Sequence, residues 1–175
     1  MKKARFWATQ SREPYPWYEH KEIGYNYRMS NIVAGIARGQ LLHLDEHRDR
    51  KEAIYRRYEA AFGAIESMSM NPYLPYTKPN FWLSCLLMDE SIKIKPEELC
   101  AKLAEYNVEA RPIWKPMHLQ PVFKNNDFIA AEDGMDVGAD IFRKGICLPS
   151  DIKMTAAEQD YVMEDQGGGG SRKIL

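Results

Sequence analysis

Apolar residues recur at three- and four-residue spacing over a long stretch: Ile32, Val33, Ile36, Ala37, Leu41 and Leu44, then Ile54, Tyr55, Tyr58, Ala61 and Phe62. That period predicts an amphipathic helix. Ser30 or Asn31 supplies its N-cap and Gly63 its stop. The middle, Asp45 to Glu52, is charged all round and is expected to cross solvent or bend. Unbroken, the helix would run about 50 Å at 1.5 Å per residue. An ordinary domain helix has about 11–12 residues, so this long N-terminal helix is expected to bridge two bodies.

Before it, Phe6 to Arg28 carries Phe6, Trp7, Tyr15, Trp17, Tyr18, Tyr25 and Tyr27, punctuated by Pro14, Pro16 and Gly24. No helical period is sustained there, so an extended or looped segment is expected. Such an aromatic patch needs cover in water. Beyond the helix, Asn71 to Asn80 with three prolines is a loop, and Phe81 to Met88 reads as a buried strand. Pro96 with Glu97 and Glu98 opens a helix that carries Leu99 and Leu103 inward. Val108 to Ile113 is a second strand, Met135 to Lys144 a helix, and Ile146 to Leu148 a strand stopped by Pro149. Thr155 and Glu158 form a capping box for a last helix through Met163. This order predicts an α/β (α+β) fold with a small sheet and helices on one side. Gly167 to Ser171 reads as a flexible linker, so 166–175 is expected to be a flexible tail.

Charge narrows the possible partners. Lys+Arg number 24 against Asp+Glu 25 in 175 residues. The basic residues are interleaved with acids, which argues against nucleic acid. The apolar run 81–88 falls far short of the roughly 18 residues of a spanning helix. After Lys2, Lys3 and Arg5, the residues Trp7, Gln10, Arg12 and Glu13 replace any apolar core of a signal peptide. Cys85, Cys100 and Cys147 form no CxxC pair and are odd in number, which points to reduced thiols. A soluble, cytoplasmic protein without membrane or nucleic-acid contacts is expected.

Most catalytic patterns fail. His43 and His47 sit one turn apart, but Leu44-Asp45-Glu46 lies between them and no third ligand is evident, so no metal site is assigned. There is no GxSxG elbow and no Gly-rich phosphate loop. Cys85 and Cys147 read as small buried hydrophobes. Two segments stand out. In Gly24-Tyr25-Asn26-Tyr27-Arg28-Met29-Ser30-Asn31, an amide, a phenol and a guanidinium precede a helix N-terminus and suit phosphate oxygens; alternatively Tyr25 and Tyr27 pack and Asn31 only caps. In Arg111 to Phe123, three prolines stiffen a strand exit that presents Trp114, Lys115 and His118. An indole face, a cation and an imidazole suit a phosphorylated or nucleotide-like ligand; alternatively Trp114 and His118 plug the surface.

Lys3 to Gln10, Gly24 to Asn31, Gln40-Leu41, Arg111 to Phe123 and Cys147-Leu148-Pro149-Ser150, taken in order, resemble the C-terminal half of the DegT-type, pyridoxal phosphate-dependent nucleotide-sugar aminotransferases of fold type I. The likeness runs from about Lys2 to Met163. It implies a remnant of the large cofactor-binding domain in 1–29 and the small C-terminal domain, with a mainly antiparallel sheet, in 30–165. The complete enzyme would move an amino group from an amino acid, usually glutamate, to a keto sugar on a nucleotide, using pyridoxal 5'-phosphate held by a Schiff-base lysine. No part of this sequence matches that lysine's motif. The chain is therefore expected to be inactive alone, with no catalytic residue of its own and no cofactor bound by itself. By resemblance, Asn26 reaches across a dimer to the neighbour's cofactor phosphate, framed by Tyr25 and Arg28; alternatively Arg28 anchors the loop. Trp114, Lys115 and His118 line the sugar-nucleotide side of the cleft, and Arg111 is structural. A homodimer or self-association is expected. The competing readings are one half of a split enzyme and a non-catalytic module for nucleotide-sugar binding or dimerisation.

Overall fold

The alternation in Ser84-Cys85-Leu86-Leu87-Met88 builds the centre of a small sheet, because every second residue of a strand faces the same side. In the computed structural model, which describes residues 1–163, this strand (β2, Ser84–Met88) is flanked by β1 (Met68–Met70) and β4 (Gly145–Leu148), and β3 (Arg111–Pro112) closes the far edge. The tail expected at 166–175 lies outside the described residues. All pairings are antiparallel, with Met70 opposite Leu86, Leu86 opposite Ile146 and Cys85 opposite Cys147.

That register puts Met68, Met70, Leu86, Met88, Ile146 and Leu148 on one face. They share a buried cluster with Ile54, Tyr55, Tyr58 and Phe62 of α3 (Leu44–Phe62) and with Leu99 and Leu103 of α4 (Pro96–Glu105). Burying a leucine fully is worth roughly 2 kcal/mol. The two tyrosines complete the cluster without stranding their hydroxyls: Tyr55 Oη donates to the Asn71 carbonyl at 2.7 Å and Tyr58 Oη to the Pro149 carbonyl at 2.9 Å. Burial, helped by Glu59, pushes the Tyr55 phenol up to about 12. The last helix, α6 (Ala156–Met163), is capped as its sequence predicts: the Glu158 amide donates to Thr155 Oγ1, and the Thr155 amide donates to the Glu158 carboxylate. It docks on α3 through Gln159, which donates to the Ile54 carbonyl at 2.8 Å, and through an Arg57–Asp160 ion pair.

Several expectations need correction. The single helix expected from Ser30 to Phe62 is two, α2 (Asn31–Leu41) and α3, separated at Leu42–His43. The amides of Leu42 and His43 bond three residues back, to Gly39 and Gln40, which tightens the last turn of α2 and ends it. Phe6 and Trp7 lie not in an extended segment but in α1 (Lys2–Ala8), a run dominated by the good helix formers lysine, alanine and arginine. Phe81 does not open a strand. Its φ of 50° breaks the extended path, so β2 starts at Ser84 while Phe81 is buried against Tyr55 and Tyr73. Val108 belongs to the exit of α4: Asn107 takes a left-handed φ of 59° and the Val108 amide bonds back to Leu103, which leaves only Arg111–Pro112 to pair.

The chain divides into two units, Met1–Asp45 and Glu46 onward. The second holds the core. Within the first, Ser11 is the one residue buried, while Trp17, Tyr18, Ile23, Tyr27, Met29, Ile32 and Ile36 are all exposed. Among the described residues no helix is long and apolar enough to cross a membrane.

Candidate functional site

The Gly24 to Arg28 segment is held by backbone alone. Gln10 and Ser11 both take left-handed φ values, 66° and 52°, and turn the chain at the end of α1. Residues 25 to 27 can then run antiparallel to 7–10: the Tyr25 amide donates to Trp7, Tyr27 to Ala8, and Gln10 to Tyr25, at 2.8 to 3.1 Å. Gly24 is required, since a Cβ there would overlap the Gln10 carbonyl carbon and the Ser11 nitrogen. Beside this ladder lies a hollow of about 480 Å3 lined by Gln10, His20, Lys21, Glu22, Ile23, Gly24 and Asn26. His20 Nδ1 donates to the Gln10 carbonyl at 2.8 Å. Glu22 pairs with Lys3 and accepts from Trp7 Nε1, and those two donors hold its carboxyl below the usual range. Among the described residues the Asn26 amide has no hydrogen-bond partner, so its donors and acceptor remain available at the rim. The Tyr25 and Tyr27 rings lie 5.5 Å apart, tilted at 33°, and Arg28 is exposed.

The second unit presents Trp114 and His118 in different settings. Trp114 packs its ring 5.6 Å from that of Trp82, at 32°, on the wall of a hollow of about 370 Å3. Lys51, Arg111, Cys147, Ser150 and Asp151 also line it. Lys51 donates to the carbonyls of Trp82 and Ser150, and partial burial lowers the pKa of its ammonium against the opposing pull of Asp151. Arg111 is paired with Glu109, Nε to carboxylate at 3.0 Å.

His118 sits in a short 3-10 turn (Met117–Leu119), stacked on Phe128 with ring centroids 4.0 Å apart. Its Nε2 donates to Asp136 Oδ2 at 2.6 Å. Asp136 is also the N-cap of α5 (Val137–Lys144), where Oδ1 accepts from the Ala139 amide at 2.9 Å. The Ala139 amide first, and the His118 imidazole after it, hold the Asp136 carboxyl below its usual 3.8. A depressed acid contributes stability above that usual value and loses it as the pH falls through the folded value. Asp136→Ala should therefore flatten the acid limb of a stability–pH curve and speed hydrogen exchange at the Ala139 amide. Urea titrations across the acid range, with exchange mass spectrometry, would check both.

Tyr25 and Asn26 thus share one backbone ladder, with exposed Arg28 next to it. Trp114 shares a hollow with Arg111, whereas His118 is engaged by Asp136 and Phe128. Lys115 is exposed, its side chain making no bond to either group. Trp82, Phe128 and Asp136 are among the residues of these settings that the sequence reading misses. Trp82 lies in the run 81–88 whose apolar pattern reads as a buried strand. Phe128 lies in a segment without period, but Asp136 directly before Val137-Gly138-Ala139 carried a legible N-cap signal.

Residues 1–166 match the model of the DegT/DnrJ/EryC1/StrS aminotransferase family. A Bacillus subtilis protein named as a pyridoxal phosphate-dependent aminotransferase, EpsN, is 44% identical over 164 residues, covering 94% of this chain and 42% of that protein. GDP-perosamine synthase of Caulobacter vibrioides is 27% identical over 162 residues, 92% of this chain and 43% of its own. Among solved structures, Helicobacter pylori PseC, an aminotransferase involved in pseudoaminic acid biosynthesis, superposes with a TM-score of 0.78 at 16% identity, over 93% of this chain and 43% of that one. TlmJ from Streptoalloteichus hindustanus does so at 0.77 and 19%, over 93% and 42%. The chain spans less than half the length of these relatives. With the family model covering nearly all of it, the chain belongs to the DegT/DnrJ/EryC1/StrS aminotransferase family.

Proposed function

We propose that the chain is the C-terminal part of a pyridoxal phosphate-dependent enzyme that transfers an amino group from an amino acid, glutamate by family resemblance, to the keto carbon of a nucleotide-linked sugar. The observation that carries this reading is Asn26: an uncommitted amide fixed by a backbone ladder beside a hollow containing Lys21, in a chain of aminotransferase family. The nucleotide-sugar class is supported by the names of two relatives, the GDP-perosamine synthase above and a Campylobacter jejuni UDP-4-amino-4,6-dideoxy-N-acetyl-beta-L-altrosamine transaminase, 22% identical over 143 residues.

The residues present fit the phosphate end of pyridoxal phosphate. Asn26 and Tyr25 would donate to its oxygens and Arg28 would offset its charge, in a second subunit's site. When bound, the cofactor supplies the electron sink that makes an amino acid's α-proton removable. On the other segment, Trp114 offers a face for a ring and Lys115 a compact cation for phosphate, while His118, braced by Asp136 and Phe128, would fix the neighbouring turn. The lysine that anchors the cofactor is assigned to another stretch of protein.

Borohydride reduction of this chain with pyridoxal phosphate should leave no stoichiometric single-site lysine adduct. Co-expression with a lysine-bearing large domain should give glutamate-dependent amination of a keto nucleotide-sugar. A trapped adduct at one lysine of this chain would overturn the assignment. In the assembled enzyme, Asn26→Ala should weaken cofactor affinity about 10- to 100-fold, the worth of a hydrogen bond to a charged group, measured by cofactor titration.

We also infer that the exposed apolar surface of Met1–Asp45 is covered by a large domain and a second copy. Sedimentation of the chain alone should show self-association with rising concentration, and a strictly monomeric species with ordered 6–27 would count against it. A second reading, a module that binds nucleotide-sugar unaided, is favoured by the Trp82–Trp114 hollow lying wholly in the unit that contains the core. Calorimetry with uridine- and thymidine-diphosphate sugars would register heat only if that reading holds.

A further inference from the structure

Two of the three cysteines are neighbours. Cys85 of β2 lies directly opposite Cys147 of β4, with the sulfurs 3.8 Å apart. Their backbone setting matters more than this distance. Cys85 spends both main-chain groups away from β4: its amide donates to Asn71 Oδ1 and its carbonyl accepts from the Asn71 amide, both at 2.9 Å. Cys147 faces the other way, with Arg111 of β3 as its partner. Cys85 and Cys147 therefore form a non-hydrogen-bonded pair, the kind in which opposed Cα atoms approach to about 4.5 Å. Disulfides accept Cα separations of roughly 4.4 to 6.8 Å, so rotation of the two side chains suffices to bring the sulfurs into bonding range without moving the strands.

Access is provided too. Cys147 lines the hollow walled by Trp82 and Trp114, and its opposite neighbour Cys85 is half-buried. We propose that Cys85 and Cys147 are a redox-modification site, a dithiol that a small peroxide entering this hollow converts to a cross-strand disulfide. The Cys147 thiolate attacks one peroxide oxygen; the O–O bond breaks, hydroxide leaves and takes up a proton as water, and Cys147 becomes a sulfenic acid. The Cys85 sulfur then gives up its proton and attacks the Cys147 sulfur. The S–S bond forms, the S–O bond breaks and a second water leaves. Two thiols have lost two electrons and one peroxide has gained them. An asymmetry in the pair is consistent with this order: the contact with Cys85 lowers the pKa of the Cys147 thiol, while the contact with Cys147 and burial raise that of Cys85. In a reducing compartment the product would be transient, as sensing disulfides are. The site is independent of the aminotransferase reading.

The test uses the full chain, reduced, treated with hydrogen peroxide and then alkylated. Titratable thiols should fall from three to one, the mass should drop by two hydrogens before alkylation, and a peptide pair joining Cys85 to Cys147 should appear and vanish with dithiothreitol. Cys100→Ser should leave the linked pair intact, and Cys85→Ala should replace it with sulfinic or sulfonic acid at Cys147. Three thiols still alkylated, a link through Cys100, or over-oxidation of a single cysteine in the unsubstituted chain would each overturn the proposal. Because the unsubstituted chain gives the decisive reading, misfolding of a variant does not blunt it.

Discussion

Gly24→Ala is expected to dismantle the ladder between residues 7–10 and 25–27. The new methyl would overlap the Gln10 carbonyl carbon and the Ser11 nitrogen and Oγ. Two of these atoms are backbone and cannot rotate away, so overpacking should cost about 3 kcal/mol, the upper end of its usual range. The Met1–Asp45 unit has little to set against that, with Ser11 its one buried residue. Amide exchange should therefore rise at Gln10, Tyr25 and Tyr27, whose hydrogen bonds define the ladder, and stay unchanged at Leu99 and Leu103 in α4. If Asn26 holds the cofactor phosphate as proposed, the same substitution should weaken cofactor retention at least as much as Asn26→Ala, because it displaces the backbone that positions Asn26. Retained protection at those three amides would refute the expectation.

Leu86→Ala is expected to have the largest effect on the second unit. Leu86 is fully buried in the central strand, opposite Met70 on one side and Ile146 on the other. Deleting its isobutyl group removes apolar burial and leaves a cavity that strands on both flanks cannot close, at about 3 kcal/mol. For a chain of this size that corresponds to a fall of roughly 6 to 12 °C in melting temperature. Calorimetry and urea unfolding would measure it, and a shift below roughly 2 °C would show that the sheet yields more readily than its register implies.

The contrast between these two sites also explains what was legible beforehand. Leu99, Leu103, Ile146 and the Thr155–Glu158 box were readable because each signal is local: a period, a stop or a cap within a few residues. The two candidate segments stood out by unusual composition, but the roles of Asn26, Tyr25 and Arg28, and of Trp114, Lys115 and His118, come from the resemblance and are proposals. What was not legible depends on φ values and distant partners. The left-handed turns at Gln10, Ser11, Phe81 and Asn107 have no glycine to advertise them, and they set where α1, β2 and α4 hand over to the next segment. β1 is three residues long, too short for its Met-Ser-Met alternation to stand out. Trp82 joins Trp114, and Asp136 joins His118, only once segments 32 and 18 residues apart have been folded together.

The two outer strands of the sheet have three and two residues, and the shorter contains a proline. A border so brief, lacking one donor outright, offers almost no template for a stranger's backbone to add itself to the row. Lengthwise stacking into fibrils is thereby disfavoured at the sheet. Association of this polypeptide would then start at exposed apolar side chains rather than at a strand border, and the aromatic skin of its opening forty-five residues is one place where solubilising substitutions belong.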